Sequence, residues 1–231
     1  MSSMRRARHA VQHGEAVRKL RLLDLFCGGG GASAGYVMAG FEVVGVDIVK
    51  KKSYPYKFYK ADAVEILKDK EFVSGFDIVH ASPPCQFYSI TGNLMRAQGK
   101  TTSKPDLLAK VRELLIQTGK PYIIENVPGA PMSGVILCGS MFGLKVRRHR
   151  IFESNMSLAA LKCDHKGQGR PIGVYGSMND EIPKGGRTAK TLLEGQEAMG
   201  VDWLGWNNLK ESIPPAYTKF LGEQVLNATR L

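Results

Sequence analysis

From residue 22 onward the chain alternates short apolar runs with glycine-rich turns and helix-like stretches. LLDLF is followed by CGGGG, then ASAGYVMAG, then the apolar run EVVGVDI. That order of strand, glycine turn, helix and strand is a βαβ unit. Apolar runs bounded by Gly or Pro recur in FDIVHAS, PYIIENV and SGVILCG, and a helix-like stretch over 104–118 precedes the second of these. Strands alternating with helices predict an α/β fold with a doubly wound, mostly parallel sheet. Beyond Phe152 the pattern lapses. KCDHKGQGRPIGVYGSMNDEIPKGGR is polar and glycine-rich, with no helical period and few strand signals, and predicts a loop-rich insertion. Regular structure resumes at TLLEGQEAMG, and the Pro-initiated spacing of PPAYTKFLGEQVLNATRL predicts a closing helix. The chain therefore divides into an arm (1–21), a main α/β body (22–152), a small insertion (153–186) and a C-terminal segment (187–231) that completes the body.

Composition narrows the class. A length of 231 residues with 43% hydrophobic content is enough for one domain with a continuous core. No apolar run reaches the roughly 18 residues of a membrane span, and the first twenty positions lack a signal peptide's apolar stretch, so a cytoplasmic protein without membrane association is expected. Cys27, Cys85, Cys138 and Cys163 share no paired spacing and read as reduced thiols. Cys163 and His165 supply two metal-ligand types where four are expected, so no metal site is read. The net charge of +11, from 32 Lys+Arg against 21 Asp+Glu, favours a polyanionic partner, because each neutralised phosphate releases counterions. Nucleic acid leads that class. Arg5, Arg6, Arg8, Arg18, Lys19 and Arg21 give the arm its own positive charge and few apolar anchors, the composition of a mobile arm or a loosely held helix.

Four short motifs carry chemistry. DLFCGGGG, with Asp47 ending the next strand, lets backbone approach a ligand at the carboxyl edge of the sheet and offers an acid for ribose hydroxyls. A nucleoside cofactor is implied; NAD enzymes share the layout, although G-x-G-x-x-G is absent. ASPPCQFYS directly follows FDIVHA, so two prolines hold Cys85 over the same edge, as a nucleophilic thiol requires. Such a thiol is only a few per cent ionised at neutral pH, so nearby donors or positive charge are expected to favour the thiolate. IIENVPG ends another strand and sets Glu125 beside Asn126, where desolvation can keep a carboxyl protonated as a donor to a ring nitrogen. In RRHRIFE, Arg148 and Arg150 are two apart, so on extended backbone both guanidiniums face one site.

In that order and at these intervals, FCGGGG, PPCQ, ENV and RxRIF resemble the cytosine-5 DNA methyltransferase family, over about 22–152 and again from about 187 to the end. The resemblance implies an S-adenosylmethionine-dependent enzyme of Rossmann-like fold. In it Cys85 attacks carbon 6 of a cytosine, Glu125 protonates or hydrogen-bonds ring nitrogen 3, and Arg150 with Arg148 contacts the base and orients Cys85. Phe26, Gly28, Gly30, Asp47, Ile48, Asp62 and Pro84 match positions that line the family's cofactor pocket. It further implies double-stranded DNA as substrate and a base flipped from the stack. Gln86 and Ser89, beside Cys85, are expected DNA contacts. RNA, tRNA above all, stays open as the substrate, as does a DNA-binding relative that has lost catalysis.

The chain departs from the family at two places. Val146 stands where Gln is usual, and KESIPP places Lys210 and Glu211 where Gly-Asn is usual. Glu211 either favours a cationic donor or points to solvent. The insertion 153–186 is far shorter than the usual target-recognition region, a layout associated with phage-borne enzymes that lack a restriction partner and protect their own DNA. Within or beside it Arg170, Lys184 and Arg187 can reach guanine or phosphate, and Gln168 and Asn179 adenine. So few readers imply a target of roughly two to four base pairs. Trp203 and Trp206 read as packing residues. A monomer without an obligate protein partner is expected.

Overall fold

The computed structural model describes residues 18–85, 88, 106–182 and 186–229. Gln86, Ser89, Lys184 and residues 1–17 of the arm lie outside them. Strand β1 (Arg21–Leu25) runs through the glycine turn into helix α1 (Gly31–Ala39) and strand β2 (Glu42–Asp47). This is the βαβ unit that the apolar pattern predicts. Strand β3 (Lys57–Lys60) and helices α2 (Ala63–Lys68) and α3 (Lys70–Ser74) follow. None of the three is predicted from the sequence, because KFYK alternates weakly and both helices are too short for a clear period. Their starts are set by side chains: Asp62 accepts from Val64 N at 2.7 Å and Asp69 from Phe72 N at 2.9 Å, each capping a helix.

Strand β4 (Ile78–Ala81), helix α4 (Leu108–Thr118) and strand β5 (Tyr122–Asn126) continue the sheet. Strands β6 (Val135–Leu137) and β7 (Arg150–Ser154) close it. Among the described residues the sheet has seven strands in the order β3-β2-β1-β4-β5-β7-β6. β1 to β5 pair in parallel, while β7 runs antiparallel to both β5 and β6. Register aligns Leu25 with Val46 and Ala81, and Ala81 with Ile124. The carboxyl ends of β1, β2, β4 and β5 therefore share one edge, and β7, entering from the other direction, starts at that edge.

Two apolar layers cover the sheet. Leu23, Leu25, Val44, Val79, Ile124 and the buried face of α4 form one; Leu22, Tyr36, Val43, Ile78, Ile123 and the closing helix α8 (Pro215–Thr229) form the other. The span after Phe152 is more ordered than its composition predicts. It holds one helical turn, α5 (His165–Gln168), and a small second sheet in which β10 (Gly186–Thr188) lies between β8 (Ile172–Gly173) and β9 (Glu181–Ile182). Helices α6 (Leu192–Met199) and α7 (Trp206–Glu211) pack Ala198, Met199 and Leu209 with Val174 and Val146 into a third cluster. Val146, where the family has Gln, is a core side chain here. At the other end β1 begins at Arg21, inside the span read as arm. Arg18 is also anchored, its guanidinium donating to Asp77 at 2.8 and 2.9 Å. Among the described residues no helix is long and apolar enough to cross a membrane.

Candidate functional site

The glycine turn at the end of β1 is built from left-handed backbone: φ is 60° at Phe26, 52° at Gly28 and 89° at Gly30. A Cβ at Gly28 would meet nothing within 4 Å, so the turn faces open space there. Behind it the fit is tight. A Cβ at Gly31 would stand 2.0 Å from Ser212 Oγ and 2.4 Å from Ile213 O, and one at Gly29 2.5 Å from Leu204. Trp203 Nε1 donates to Gly29 O at 3.0 Å, and Trp206 Nε1 to Gly176 O at 3.0 Å, so both tryptophans pack as expected. The KESIPP segment meets the glycine turn through Ser212 and Ile213, while Glu211 is exposed.

Asp47 reaches across from β2. Its Oδ2 accepts from Gly28 N at 3.0 Å and its Oδ1 from Val49 N at 3.1 Å. Ile48, beside it, is 62% exposed, an apolar side chain left open at the strand end. Asp62 caps α2 beyond β3, and Pro84 lies in the loop after β4. Sequence reasoning missed Asp24, which is wholly buried under the turn. It accepts from Ser33 Oγ, which also contacts Tyr54 OH at 2.9 Å. Burial pushes its carboxyl up to about 7, and its Oδ1 has no hydrogen-bond partner among the described residues. An acid inside the apolar run LLDLF is the signal that marks it.

Cys85 follows β4 through two prolines. Asn126 Nδ2 donates to Pro83 O at 3.1 Å, tying that loop to the end of β5. Glu125, next to Asn126, pairs with Arg150 Nε at 2.9 Å. Burial raises the Glu125 carboxyl above its ordinary range, against the pull of Arg150, Ser82 and Arg148. Cys85 lies in the same field. Burial raises its thiol, Glu125 adds to the rise, and Arg150 and Arg148 act against it without prevailing. The expected positive charge is there, since both arginines favour the thiolate, but in the resting protein desolvation of the thiolate is the larger effect.

The two arginines differ. Residue 148 has φ 37°, so the extended alternation expected of RRHRIFE breaks there, and regular strand starts only at Arg150. Arg150 faces Glu125. Arg148 is half-buried, donates to Val174 O at 3.0 Å and to Lys210 O, and is pushed down to about 9 by desolvation and by Arg150. It clamps the insertion and the C-terminal segment while still acting on Cys85 and Glu125 through its charge. Tyr217 OH, from α8, fixes the same segment by donating to Arg148 O at 2.9 Å. A buried chain also leads to Glu125 from behind. Tyr36 OH meets His80 Nδ1 at 3.0 Å, His80 Nε2 meets Ser82 Oγ at 3.0 Å, and Ser82 hydrogen-bonds Glu125. His80 and Ser82, two apart, are legible as one strand face, but nothing in VHASPPC says which face.

Of the expected DNA readers, Arg170 and Asn179 are exposed. Arg187 is engaged with Glu194, donating at 2.8 Å and through a second, shorter bond. Gln168 donates to Leu144 O at 2.8 Å and Val146 O at 2.9 Å. The reading that Cys163 and His165 lack further ligand partners is corrected: Cys138 and His149, distant in sequence, join them in one cluster.

A family model described as C-5 cytosine-specific DNA methylase matches residues 20–133. The Type II methyltransferase M.DdeI of Desulfomicrobium norvegicum is 29% identical over 120 residues, which cover 48% of this chain and 28% of that protein. The chain thus aligns with under a third of that relative's length. The Type II methyltransferase M.HgiGI of Herpetosiphon aurantiacus is 28% identical over 125 residues, covering 50% of this chain and 97% of that protein. Among solved structures, a candidate DNA modification methyltransferase encoded within an E. coli prophage superposes with TM-score 0.62 at 15% identity. The match covers 92% of this chain and 100% of that one, a shared fold.

Proposed function

We propose that this chain, whose residues 20–133 match the C-5 cytosine-specific DNA methylase family, transfers a methyl group from S-adenosylmethionine to carbon 5 of a cytosine flipped out of double-stranded DNA. The observation that carries this reading is the meeting of Cys85, Glu125 and Arg150 at one sheet edge, with Arg150 Nε 2.9 Å from Glu125. The open face of the glycine turn lies at the same edge. The residues fit the cofactor: Gly28 leaves open space, Asp47 offers carboxylate oxygens beside it, and exposed Ile48 presents an apolar surface to a base. Phe26, Gly30, Asp62 and Pro84 complete that pocket in this reading. S-adenosylmethionine bound there supplies the methyl group as an electrophile.

The chain's own residues do the rest. Cys85 gives up its proton to solvent and its sulfur bonds to carbon 6 of the cytosine, while the protonated Glu125 gives a hydrogen bond or its proton to nitrogen 3, where negative charge develops, and regains that proton when Cys85 leaves. Carbon 5 becomes nucleophilic and accepts the methyl group. It then loses its proton to a base in the site, the double bond re-forms, and Cys85 leaves. Arg150 holds Glu125 in place, and Arg148 and Arg150 favour the thiolate once DNA closes the pocket. Flipping costs roughly a few kcal/mol, recovered by contacts in the pocket.

In this reading the enzyme acts as a cytoplasmic monomer, and the net charge of +11 serves phosphate contact. The short insertion reads a target of roughly two to four base pairs. Dense marking of that kind suits protection of a phage genome from restriction. Expression in a strain without cytosine methylation, followed by genome-wide mapping of 5-methylcytosine, tests activity and target together. A short, fixed methylated motif is expected; no methylation, with tRNA labelled instead by tritiated cofactor, would overturn the DNA reading.

A further inference from the structure

A second cluster of reactive side chains lies outside the Cys85–Glu125–Arg150 corner. Cys138 precedes the turn Gly139–Phe142, His149 sits between the two arginines, and Cys163 and His165 flank the start of α5. Three sequence segments bring these residues together, and their ligand atoms all lie within 4.8 Å of one another. Cys138 Sγ is 3.3 Å from His165 Nε2, and Cys163 Sγ is 3.6 Å from His149 Nε2. The two imidazoles meet edge to face, with centroids 5.1 Å apart.

We propose that Cys138, His149, Cys163 and His165 form a tetrahedral Cys2His2 site for a structural zinc ion. Zn–S bonds of about 2.3 Å and Zn–N bonds of about 2.0 Å place tetrahedral neighbours about 3.5 Å apart. The two sulfur–nitrogen distances, 3.3 and 3.6 Å, bracket that value. Two thiolates and two imidazoles without a carboxylate select zinc over magnesium or calcium, and four protein ligands leave no open position for catalysis. On binding, the two thiols release their protons to solvent and the dication balances the two thiolates. A supporting shell is present. Ser140 Oγ donates to Cys138 Sγ at 3.3 Å and accepts from Asp164 N at 3.2 Å, and Arg147 Nε donates to Gln168 Oε1 at 3.2 Å.

The consequence lies in the backbone. Because His149 stands between Arg148 and Arg150, an ion there pins the arginine segment, the turn after β6 and the root of the insertion to one point. The short insertion gains an anchor that its own small core does not supply. The site itself is independent of the proposed reaction; only the consequence for Arg150 rests on it.

Zinc content and cobalt spectroscopy test the site without any assay of methylation. Full-length protein purified without chelator is expected to carry about one zinc per chain. Replacement by Co2+ should give thiolate charge-transfer and the strong d–d absorption of a tetrahedral site. Chelation should release the zinc, expose two further titratable thiols and lower the melting temperature. Cys163→Ser and His165→Ala, at exposed and half-buried positions, should each lose the zinc and the cobalt charge-transfer pattern while circular dichroism shows a folded chain. Chelator titration of the parent protein gives the same answer should either variant fail to fold. Parent protein without zinc or a cobalt signal overturns the proposal. So does a Cys163→Ser variant that keeps its full metal content, or a Cys138–Cys163 disulfide in peptide mapping of the native protein.

Discussion

The glycine turn and the Cys85–Glu125–Arg150 corner share one edge of the sheet, yet they are held in opposite ways. At the turn and along the helix α1 that it starts, glycine backbone is packed closely: a Cβ at Gly35 would stand 2.1 Å from Pro215 O, and one at Gly31 2.4 Å from Ile213 O. Shape holds it. At the corner the contacts are between charged or ionisable side chains, Glu125 with Arg150 at 2.9 Å and Cys85 in the field of both arginines. Electrostatic balance holds that one. The comparison teaches that small changes of volume should damage the first region and spare the second, whereas changes of charge at constant volume should do the reverse.

The largest expected effect is at the corner. Cys85→Ala should lower turnover by about four orders of magnitude or more, with cofactor affinity in calorimetry and the melting temperature both near the parent values. Turnover within tenfold of the parent would remove Cys85 from the chemistry. Next, Glu125→Gln keeps the volume and a donor but transfers no proton, so single-turnover rates should fall by about 100- to 1000-fold while DNA affinity changes little. An unchanged rate would make Glu125 a purely structural partner of Arg150.

The turn and the helix α1 it starts should break through stability. Gly35→Ala forces α1 and α8 apart and should cost about 2–3 kcal/mol in denaturant unfolding, with the folded fraction still turning over. Gly28→Ala, where a Cβ meets nothing but φ is 52°, should cost only about 1–2 kcal/mol and weaken cofactor binding instead. Equal midpoints for the two variants would mean that shape is not what holds the turn.

A last effect, spread over several pH units, concerns the strongly shifted acid beneath the turn. Burial pushes Asp24 up to about 7 from an ordinary 3.8, so the folded chain holds that proton more tightly than the unfolded one. The stability this lends is complete below the ordinary value and is lost as pH rises through about 7. Asp24→Asn keeps an acceptor for Ser33 and removes the ionisation. The fall in stability between about pH 4 and 7 should therefore flatten, by at most about 1.4 kcal/mol per pH unit. Parallel pH profiles for parent and variant would show that Asp24 does not titrate in that window.

Legibility followed the same division. The βαβ unit, β4, β5 and α8 appear as apolar periods, and the glycine turn, PPC and ENV are contiguous words. In a parallel sheet strand ends fall on one edge, so those words locate the site before any coordinates exist. The elements that went unread are short ones. β3, α2, α3 and the small sheet of β8, β9 and β10 take their form from caps and from neighbours rather than from a period of their own.

What the sequence by itself determined is therefore the fold class, the family resemblance and the main chemical groups of the candidate site, because each apolar period and each motif is local and their order along the chain can be read directly. The tertiary structure alone decided three further matters. Gly31 and Gly35 serve helix and loop contact from the far end of the chain. Arg148 clamps Val174 and Lys210 while Arg150 faces Glu125. Cys138 and His149 join Cys163 and His165. In each case the partners come from different segments of the chain, and their meeting depends on where the sheet and the closing helix place the backbone. Local periodicity carries no record of that placement, because a strand's apolar pattern says which face is buried but not which distant segment covers it.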